Sequence, residues 1–274
     1  MKKDEKKESG GFRHKKSLGQ HFLNNTRVPA YMADAGHVTA GDIVLEIGPG
    51  TGVLTDELLR RGARVIGVET DDRAITVLQE KFGEEIRKRQ LSIVRKDMRT
   101  CAVSEFGLAE HQYKVVANIP YYLSGMLFRM FLESDRQPAE LVFLVQKEVA
   151  TRIARDKKES LLSLSVKAYG TPVYVRTVRK GNFTPQPKID SAILSVGGIS
   201  HKRFTGVEER LFFELLHAGF ASKRKQLLGN LSKTLDRGVL INIFSTCSLP
   251  LSTRAEDLTI EMWLDLVREI QVHR

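Results

Sequence analysis

Between residues 43 and 196, short apolar runs alternate with amphipathic stretches, and this alternation leaves few possible architectures. Amphipathic segments of helical period, such as 73–82 and 126–133, separate most of the apolar runs. Such alternation with short connections is typical of a parallel sheet covered by helices on both faces. We therefore predict an α/β fold, with its first five strands at 43–47, 64–69, 91–94, 114–117 and 141–145.

The pattern changes in the last third of the chain. Residues 173–178 and 192–196 are strand-like and lack an obvious crossover helix between them, so we expect an antiparallel hairpin at the sheet edge. Beyond about residue 198, strand character disappears and apolar residues recur at helical spacing. The sequence thus predicts a small helical domain over 200–274, built on helices at 207–220, 223–235 and 256–267.

The net charge of the chain indicates what kind of partner it binds. Lys and Arg number 43 against 33 Asp and Glu, a formal net charge of +10, which favours a polyanionic partner, although basic surfaces also serve solubility. Residues 1–16 hold seven of the basic and three of the acidic side chains, so we expect a basic flexible tail there.

Several classes of protein are excluded by what the sequence lacks. No apolar run approaches the roughly 18 residues that a membrane span needs, and the N-terminus lacks the apolar core of a secretory signal. Two cysteines, Cys101 and Cys247, are too few for a disulfide framework, and no metal-ligand spacing is present. We expect a cytoplasmic protein with no metal and no membrane partner.

A glycine-rich turn follows the first predicted strand: Gly48-Pro49-Gly50-Thr51-Gly52. Glycines at a strand-to-helix turn let the backbone approach a ligand closely. The spacing is G-x-G-x-G rather than the G-x-G-x-x-G of dinucleotide binders, and Pro49 removes an amide donor that a phosphate would use. The loop therefore favours an uncharged or cationic nucleoside, the alternative being a structural turn whose glycines serve packing.

Two carboxylates follow at the ends of the next two strands. Glu69 ends the second strand, about 20 residues after Gly48, a spacing at which an acidic side chain meets ribose hydroxyls. Asp97 follows the third strand, where it can accept from an adenine amine. Open α/β sheets bind ligands at these carboxyl ends. A nucleoside without phosphates, held by two carboxylates, suggests S-adenosylmethionine.

The fourth predicted strand ends in Asn118-Ile119-Pro120-Tyr121-Tyr122, the most specific segment of the chain. The Asn118 side-chain carbonyl and the backbone carbonyl of Ile119 or Pro120 can accept the two hydrogens of an exocyclic amine. That arrangement would direct the nitrogen lone pair at a sulfonium methyl, so transfer would need positioning more than a strong base. Tyr121 would stack on the base. The alternative is an Asn-x-Pro turn with tyrosines in the core.

These residues resemble those of a known family, the rRNA adenine N6,N6-dimethyltransferases of the KsgA type, over nearly the whole chain. Gly-Pro-Gly in the glycine loop favours the small-subunit branch over the branch that modifies large-subunit rRNA and confers macrolide resistance. The resemblance rests on seven motifs in the family's order, at 17–23, 46–55, 118–122, 146–150, 183–192, 220–228 and 254–258.

The resemblance implies a Rossmann-like class I methyltransferase fold with a seven-stranded sheet, an S-adenosylmethionine-binding domain over 17–199 and a helical RNA-binding domain over 200–274. It implies dimethylation of two adjacent adenosines near the 3′ end of 16S rRNA, within an immature small subunit, by an enzyme that we expect to be a monomer. Pro120 and Asn118 would belong to the catalytic motif, and Phe183 would stack on the flipped adenine opposite Tyr121. Cofactor contacts are implied at His21, Leu23, Gly48, Gly50, Glu69, Asp97 and Asn118.

The basic cluster Lys223-Arg224-Lys225 stands at the start of a predicted helix, where it can bind rRNA phosphates or simply form a solvated helix face.

Two other functions stay open at this point. One is methylation of 23S rRNA with macrolide resistance, and the other is a non-catalytic assembly factor that keeps the fold and binds RNA.

Overall fold

The computed structural model describes residues 21–222 and 224–273, so the predicted tail at 1–16 and Lys223 lie outside the described residues. Within that part of the chain, no helix is long and apolar enough to cross a membrane. Its strands are β1 (Phe22–Leu23), β2 (Ile43–Ile47), β3 (Arg64–Glu69), β4 (Leu91–Arg95), β5 (Lys114–Asn118), β6 (Glu140–Gln146), β7 (Thr171–Val178), β8 (Phe183–Thr184) and β9 (Ser191–Gly197).

Helices lie between the strands and after the last of them. Their bounds are α1 (Arg27–Ala35), α2 (Val53–Arg60), α3 (Asp72–Lys81), α4 (Gly83–Arg87), α5 (Ser124–Leu132), α6 (Lys147–Ala154), α7 (Leu161–Lys167), α8 (Glu209–Phe220), α9 (Leu227–Leu231), α10 (Arg237–Thr246) and α11 (Ile260–Val272).

A seven-stranded mixed sheet in the order β4-β3-β2-β5-β6-β9-β7 confirms the predicted α/β fold. The strands β4, β3, β2, β5 and β6 are parallel, while β9 runs antiparallel to both β6 and β7 and so provides the predicted edge hairpin. From β2 the chain adds β3 and β4 on one side and then returns to add β5 and β6 on the other, so the strand order reverses between β2 and β5. Open α/β sheets bind ligands at the carboxyl ends of the strands beside such a reversal.

The strands are apolar on both faces because helices cover the sheet on both sides. In β5, Val115 and Ala117 pack into one core cluster and Val116 into another, and all three are fully buried. The first cluster continues without interruption into the C-terminal helices, where Trp263 is fully buried. The sheet and the helical region therefore share one core, and the predicted domain boundary near residue 200 stays a prediction.

The C-terminal helices differ from the predicted ones in two places. The described part of the predicted helix 223–235, residues 224–235, contains only the short α9, Leu227–Leu231. The helix α10, Arg237–Thr246, was not predicted. The Asp236 side chain starts α10 by accepting from the Val239 N–H at 2.9 Å. The predicted helix at 256–267 begins later, at Ile260, because Thr259 caps it.

Candidate active site

A single cavity at the carboxyl ends of β2, β3, β4 and β5 brings together most of the residues singled out from the sequence. Its lining includes the glycine loop, the segment after β4 and the whole Asn118–Leu123 stretch. Of the predicted site residues, those that line the cavity are His21, Gly48, Gly50, Glu69, Asp97, Asn118, Pro120 and Tyr121.

The glycine loop has the backbone conformation expected of a ligand cradle. Gly48, Gly50 and Gly52 have φ values of 65°, 57° and 75°, in the left-handed region that side chains disfavour. A Cβ at Gly50 would lie 2.6 Å from the ring of Phe22, whereas a Cβ at Gly48 would meet no atom within 4 Å. The space beside Gly48 is therefore open, whereas the Phe22 ring of the N-terminal strand fills the space beside Gly50.

Glu69 is held rigidly at the end of β3. Its Oε2 accepts from the Gly50 N–H at 3.1 Å, and its Oε1 accepts from the N–H groups of Thr70 and Asp71 at 2.7 and 3.0 Å. The side chain is 4% exposed and faces the cavity. Three backbone donors thus fix a buried carboxylate beside the glycine loop, which suits a group that must meet a ribose without rearranging.

Asp97, the second carboxylate, forms a tight ion pair that the sequence analysis did not anticipate. The Arg99 side chain donates from Nε at 2.9 Å and from Nη2 at 2.6 Å to Asp97 Oδ2, and the Arg99 N–H donates to Oδ1 at 2.9 Å. These bonds lower the pKa of Asp97 below its ordinary value. Asp97 is therefore ionised and ready to accept, but it shares its oxygens with a guanidinium that also lines the cavity.

The Asn118 amide has a defined orientation at the end of β5. Its Nδ2 donates to the main-chain oxygen of His21 at 3.0 Å. No donor among residues 21–222 and 224–273 contacts Oδ1. The amide thus presents an unpaired acceptor while its donor side is fixed.

The N-terminal segment reaches the site by pairing with a late loop. β1 runs antiparallel to β8, with Phe22 opposite Thr184 and Leu23 opposite Phe183. His21 Nδ1 donates to the Pro185 oxygen at 2.7 Å, and the His21 ring stacks on Tyr121 with centroids 5.8 Å apart. This segment therefore forms one wall of the cavity.

A model of the family described as ribosomal RNA adenine dimethylase matches residues 11–272. The chain belongs to this family. A ribosomal RNA small subunit methyltransferase A from Dehalococcoides mccartyi is 39% identical over 258 residues, which cover 93% of this chain and 88% of that protein. The enzyme of the same name from Latilactobacillus sakei is 34% identical over 266 residues, covering 93% and 89%.

Solved structures support the same dimethylase fold. A dimethyladenosine transferase from Plasmodium falciparum superposes with a TM-score of 0.78 at 23% identity, covering 92% of this chain and 98% of its own. The 23S rRNA methyltransferase ErmE superposes with a TM-score of 0.72 at 22% identity, covering 91% and 99%. At these identities the likeness establishes the fold, and it does not separate the two rRNA branches.

Two predicted residues of the dimethylase site lie outside the cavity lining. Leu23 and Phe183 are 6% and 3% exposed, and both belong to the core cluster that contains Val116 of β5. Phe183 belongs to β8, and its ring is buried in this core cluster, so stacking on a base would require the ring to leave the core. Its stacking role and the cofactor contact at Leu23 stay predictions.

Two residues of the predicted RNA-binding cluster, Arg224 and Lys225, lie in a turn of the dimethylase's helical region, not at a helix start. Arg224 and Lys225 are exposed between α8 and α9, and the Lys225 N–H donates to the Ser222 oxygen at 3.0 Å. The helix α9 begins only at Leu227 because Gln226 before it has an extended backbone, with ψ at 148°. Neither side chain forms an ion pair with a carboxylate among the described residues. Their role in RNA binding stays a prediction.

Behind the glycine loop lies Glu46, a buried acid to which the sequence analysis assigned no role. It is 1% exposed and accepts from Thr55 Oγ1 at 2.7 Å. Burial raises the pKa of Glu46 to about 8, and the nearby charge of Glu69 adds to this shift. Glu46 therefore retains its proton at pH values at which an exposed glutamate has lost it. The described residues contain no group of three His, Cys, Asp or Glu side chains arranged for a metal ion.

Proposed function

We propose that this protein transfers methyl groups from S-adenosylmethionine to the exocyclic amines of two adjacent adenosines near the 3′ end of 16S rRNA. The observation that carries the proposal is the fixed amide of Asn118. Its Nδ2 is bonded to the His21 carbonyl, so its Oδ1 is available to a ligand amine in the same cavity as the glycine loop and Tyr121.

The chain's own groups suit S-adenosylmethionine, which supplies a methyl group activated on a sulfonium. Glu69, fixed by three backbone N–H groups, would accept from the ribose hydroxyls, and Asp97 from the adenine amine. Gly48 has room for a close ligand, as a cradle requires. His21, Leu23 and Gly50 would complete the cofactor contacts, Leu23 and Gly50 through the backbone.

For the target base, the chain supplies acceptors and a stacking ring. Asn118 Oδ1 would accept one N–H of the adenine amine. The Pro120 oxygen already accepts from the Leu123 N–H at 2.9 Å, so the Ile119 carbonyl is the better candidate for the second acceptor. Two acceptors favour a pyramidal nitrogen whose lone pair is free to attack, and Tyr121 would hold the ring plane. The site thus acts by orientation, without a strong base.

The small-subunit substrate is supported by the names of the relatives and by the charge of the chain. The relatives at 39% and 34% identity are both named for the small ribosomal subunit. A formal charge of +10 and the unpaired Arg224 and Lys225 suit a polyanion. We further propose that the substrate is an immature small subunit in the cytoplasm and that the protein acts as a monomer.

Methyl incorporation into purified ribosomal subunits tests this function. Unmodified small and large subunits would be incubated separately with the protein and tritiated S-adenosylmethionine, and the modified nucleotides mapped by primer extension. We expect label in the small subunit alone, at two adjacent adenosines near the 3′ end. Label in the large subunit would favour the resistance activity, and no label in either would favour a non-catalytic assembly factor.

A further inference from the structure

The hydroxyl of Tyr121 lies 2.7 Å from the Oγ of Ser191, 70 positions later in the chain. We propose that Ser191 is a positioning residue, which holds the Tyr121 ring in the plane where it stacks on the target adenine. The inference rests on the proposed function and extends it to a residue outside the cavity lining.

Ser191 is well suited to hold another side chain in place. It is fully buried and is the first residue of β9, opposite Gln146 of β6 and Val178 of β7. The preceding residue, Asp190, is fixed as well: its main-chain oxygen accepts from the Lys147 N–H at 3.0 Å, and its Oδ1 accepts from the Lys180 N–H at 2.9 Å. The Oγ of Ser191 therefore has a position set by the sheet.

Tyr121, in contrast, stands on a single 3-10 turn, Tyr121–Leu123, which has no sheet neighbours to hold it. The Ser124 hydroxyl donates to the Tyr121 main-chain oxygen at 2.8 Å and so fixes its backbone end. The half-buried ring is otherwise contacted on one side by the His21 ring. The bond to Ser191 is thus the hydrogen bond that fixes the far end of the ring.

The phenol is suited to this structural role and not to proton transfer. Burial raises the pKa of Tyr121 above its ordinary value, and the charge of Asp190 adds to the shift. The hydroxyl therefore stays neutral at working pH, and the bond to Ser191 persists across the range in which a methyl-transfer assay is run. A ring held in advance loses less freedom when a base binds, which favours the stacked complex.

A double-mutant cycle with Ser191→Ala and Tyr121→Phe tests the inference. Single-turnover methylation of unmodified small subunits is measured at saturating S-adenosylmethionine, and cofactor affinity is measured by calorimetry. We expect each single variant and the double variant to lose about the same factor in rate, roughly 5- to 10-fold, because all three remove one hydrogen bond. Cofactor affinity should not change.

The control is Ser195→Ala, which removes another buried hydroxyl from β9 at about 13 Å along the strand. Its rate should match that of the unsubstituted protein. Losses that multiply in the double variant, or a full rate in Ser191→Ala, would overturn the inference. If Ser191→Ala does not fold, a full rate in Tyr121→Phe overturns it equally. Absence of transfer by the unsubstituted protein would instead overturn the proposed function, and this inference with it.

Discussion

Asn118 Nδ2 donates to the main-chain oxygen of His21 at 3.0 Å, a contact between residues 97 positions apart. The bond makes the orientation of the Asn118 amide depend on the N-terminal segment. Because the donor side is taken, a flip of the amide would break this bond and place two oxygens face to face, and the acceptor therefore stays turned to the cavity.

We expect Asn118→Ala to lower the rate of methyl transfer by about 100- to 1,000-fold, the cost of removing one well-placed polar group from a reacting centre. Asn118→Asp keeps an acceptor but places a carboxylate against the His21 carbonyl, so it should also be severely impaired. Single-turnover methylation measures both rates. The control is Asn242→Ala on the exposed side of α10, outside the cavity lining, and it should keep the full rate. Substantial activity in Asn118→Ala would contradict the role of the amide.

Glu69→Gln should weaken S-adenosylmethionine binding by about 10- to 100-fold. The new side-chain NH2 group cannot accept a hydrogen bond, so either a backbone N–H or a ribose hydroxyl would lose its acceptor. An unpaired buried polar group costs about 1–3 kcal/mol. Titration calorimetry measures the affinity, with Glu80→Gln on the exposed side of α3 as the matched control. RNA affinity should not change. An unchanged cofactor affinity would place the cofactor away from β3.

Two glycines of one loop separate backbone strain from crowding. Gly48→Ala and Gly50→Ala both force an alanine to positive φ, which costs about 1–2 kcal/mol. Only Gly50→Ala also drives a Cβ into the Phe22 ring, which adds about 1–3 kcal/mol. Without cofactor, urea unfolding should show the larger loss for Gly50→Ala. Equal losses would show that Phe22 does not pack on this glycine.

Glu46 should make stability depend on pH. Its pKa is about 8 in the folded protein against an ordinary value of 4.5, so the folded state binds the extra proton between these values. The stability that this proton provides is present below pH 4.5 and is lost as pH rises to about 8.

Urea unfolding from about pH 5 to about pH 8 measures this effect. Glu46→Gln keeps an acceptor for Thr55 and cannot ionise, so its free energy of unfolding should fall less with pH than that of the unsubstituted protein. The exposed Glu80→Gln is the control and should follow the unsubstituted curve. Parallel curves for all three proteins would show that Glu46 does not retain its proton.

Arg224→Ala and Lys225→Ala should each weaken binding to small-subunit rRNA and reduce the slope of log affinity against log salt by about 1, because each would remove one proposed phosphate contact. Cofactor affinity should not change. The control is Arg64→Ala, since Arg64 is exposed at the amino end of β3, opposite the cavity edge. If both variants had the same slope of log affinity against log salt as the control, Arg224 and Lys225 would be surface residues that do not contact RNA.

The sequence predicted the sheet well because its strands are buried on both faces. β2 and β3 have the predicted bounds, and the apolar run in β5 needs cover from helices on both sides. The buried residues of α10, Leu240, Ile243 and Phe244, do recur at helical spacing. The exposed apolar side chains of Val239 and Ile241 obscure this period in the sequence, because they interrupt the polar face of the segment.

In the site, sequence motifs located the groups that follow each strand but not the bonds between distant segments. Arg99 stands two residues after Asp97, yet nothing in its spacing indicates that its side chain turns back onto that carboxylate. The contacts of Asn118 with His21 and of Tyr121 with Ser191 depend on the tertiary fold, which no local pattern encodes. For Phe183, the motif suggested a ring that stacks on the adenine, whereas the ring is buried in the core. The position of a residue in a motif does not say whether its side chain faces a cavity or the core.

The pairing of β1 with β8 has a consequence for how the protein matures during synthesis. One wall of the cavity needs Phe22 and Leu23 at one end of the chain and Phe183 and Thr184 far downstream. A nascent chain that has not yet released Thr184 from the ribosomal exit tunnel cannot close that wall. The cavity at the carboxyl ends of the strands is therefore completed late in translation, after the five parallel strands have all been made.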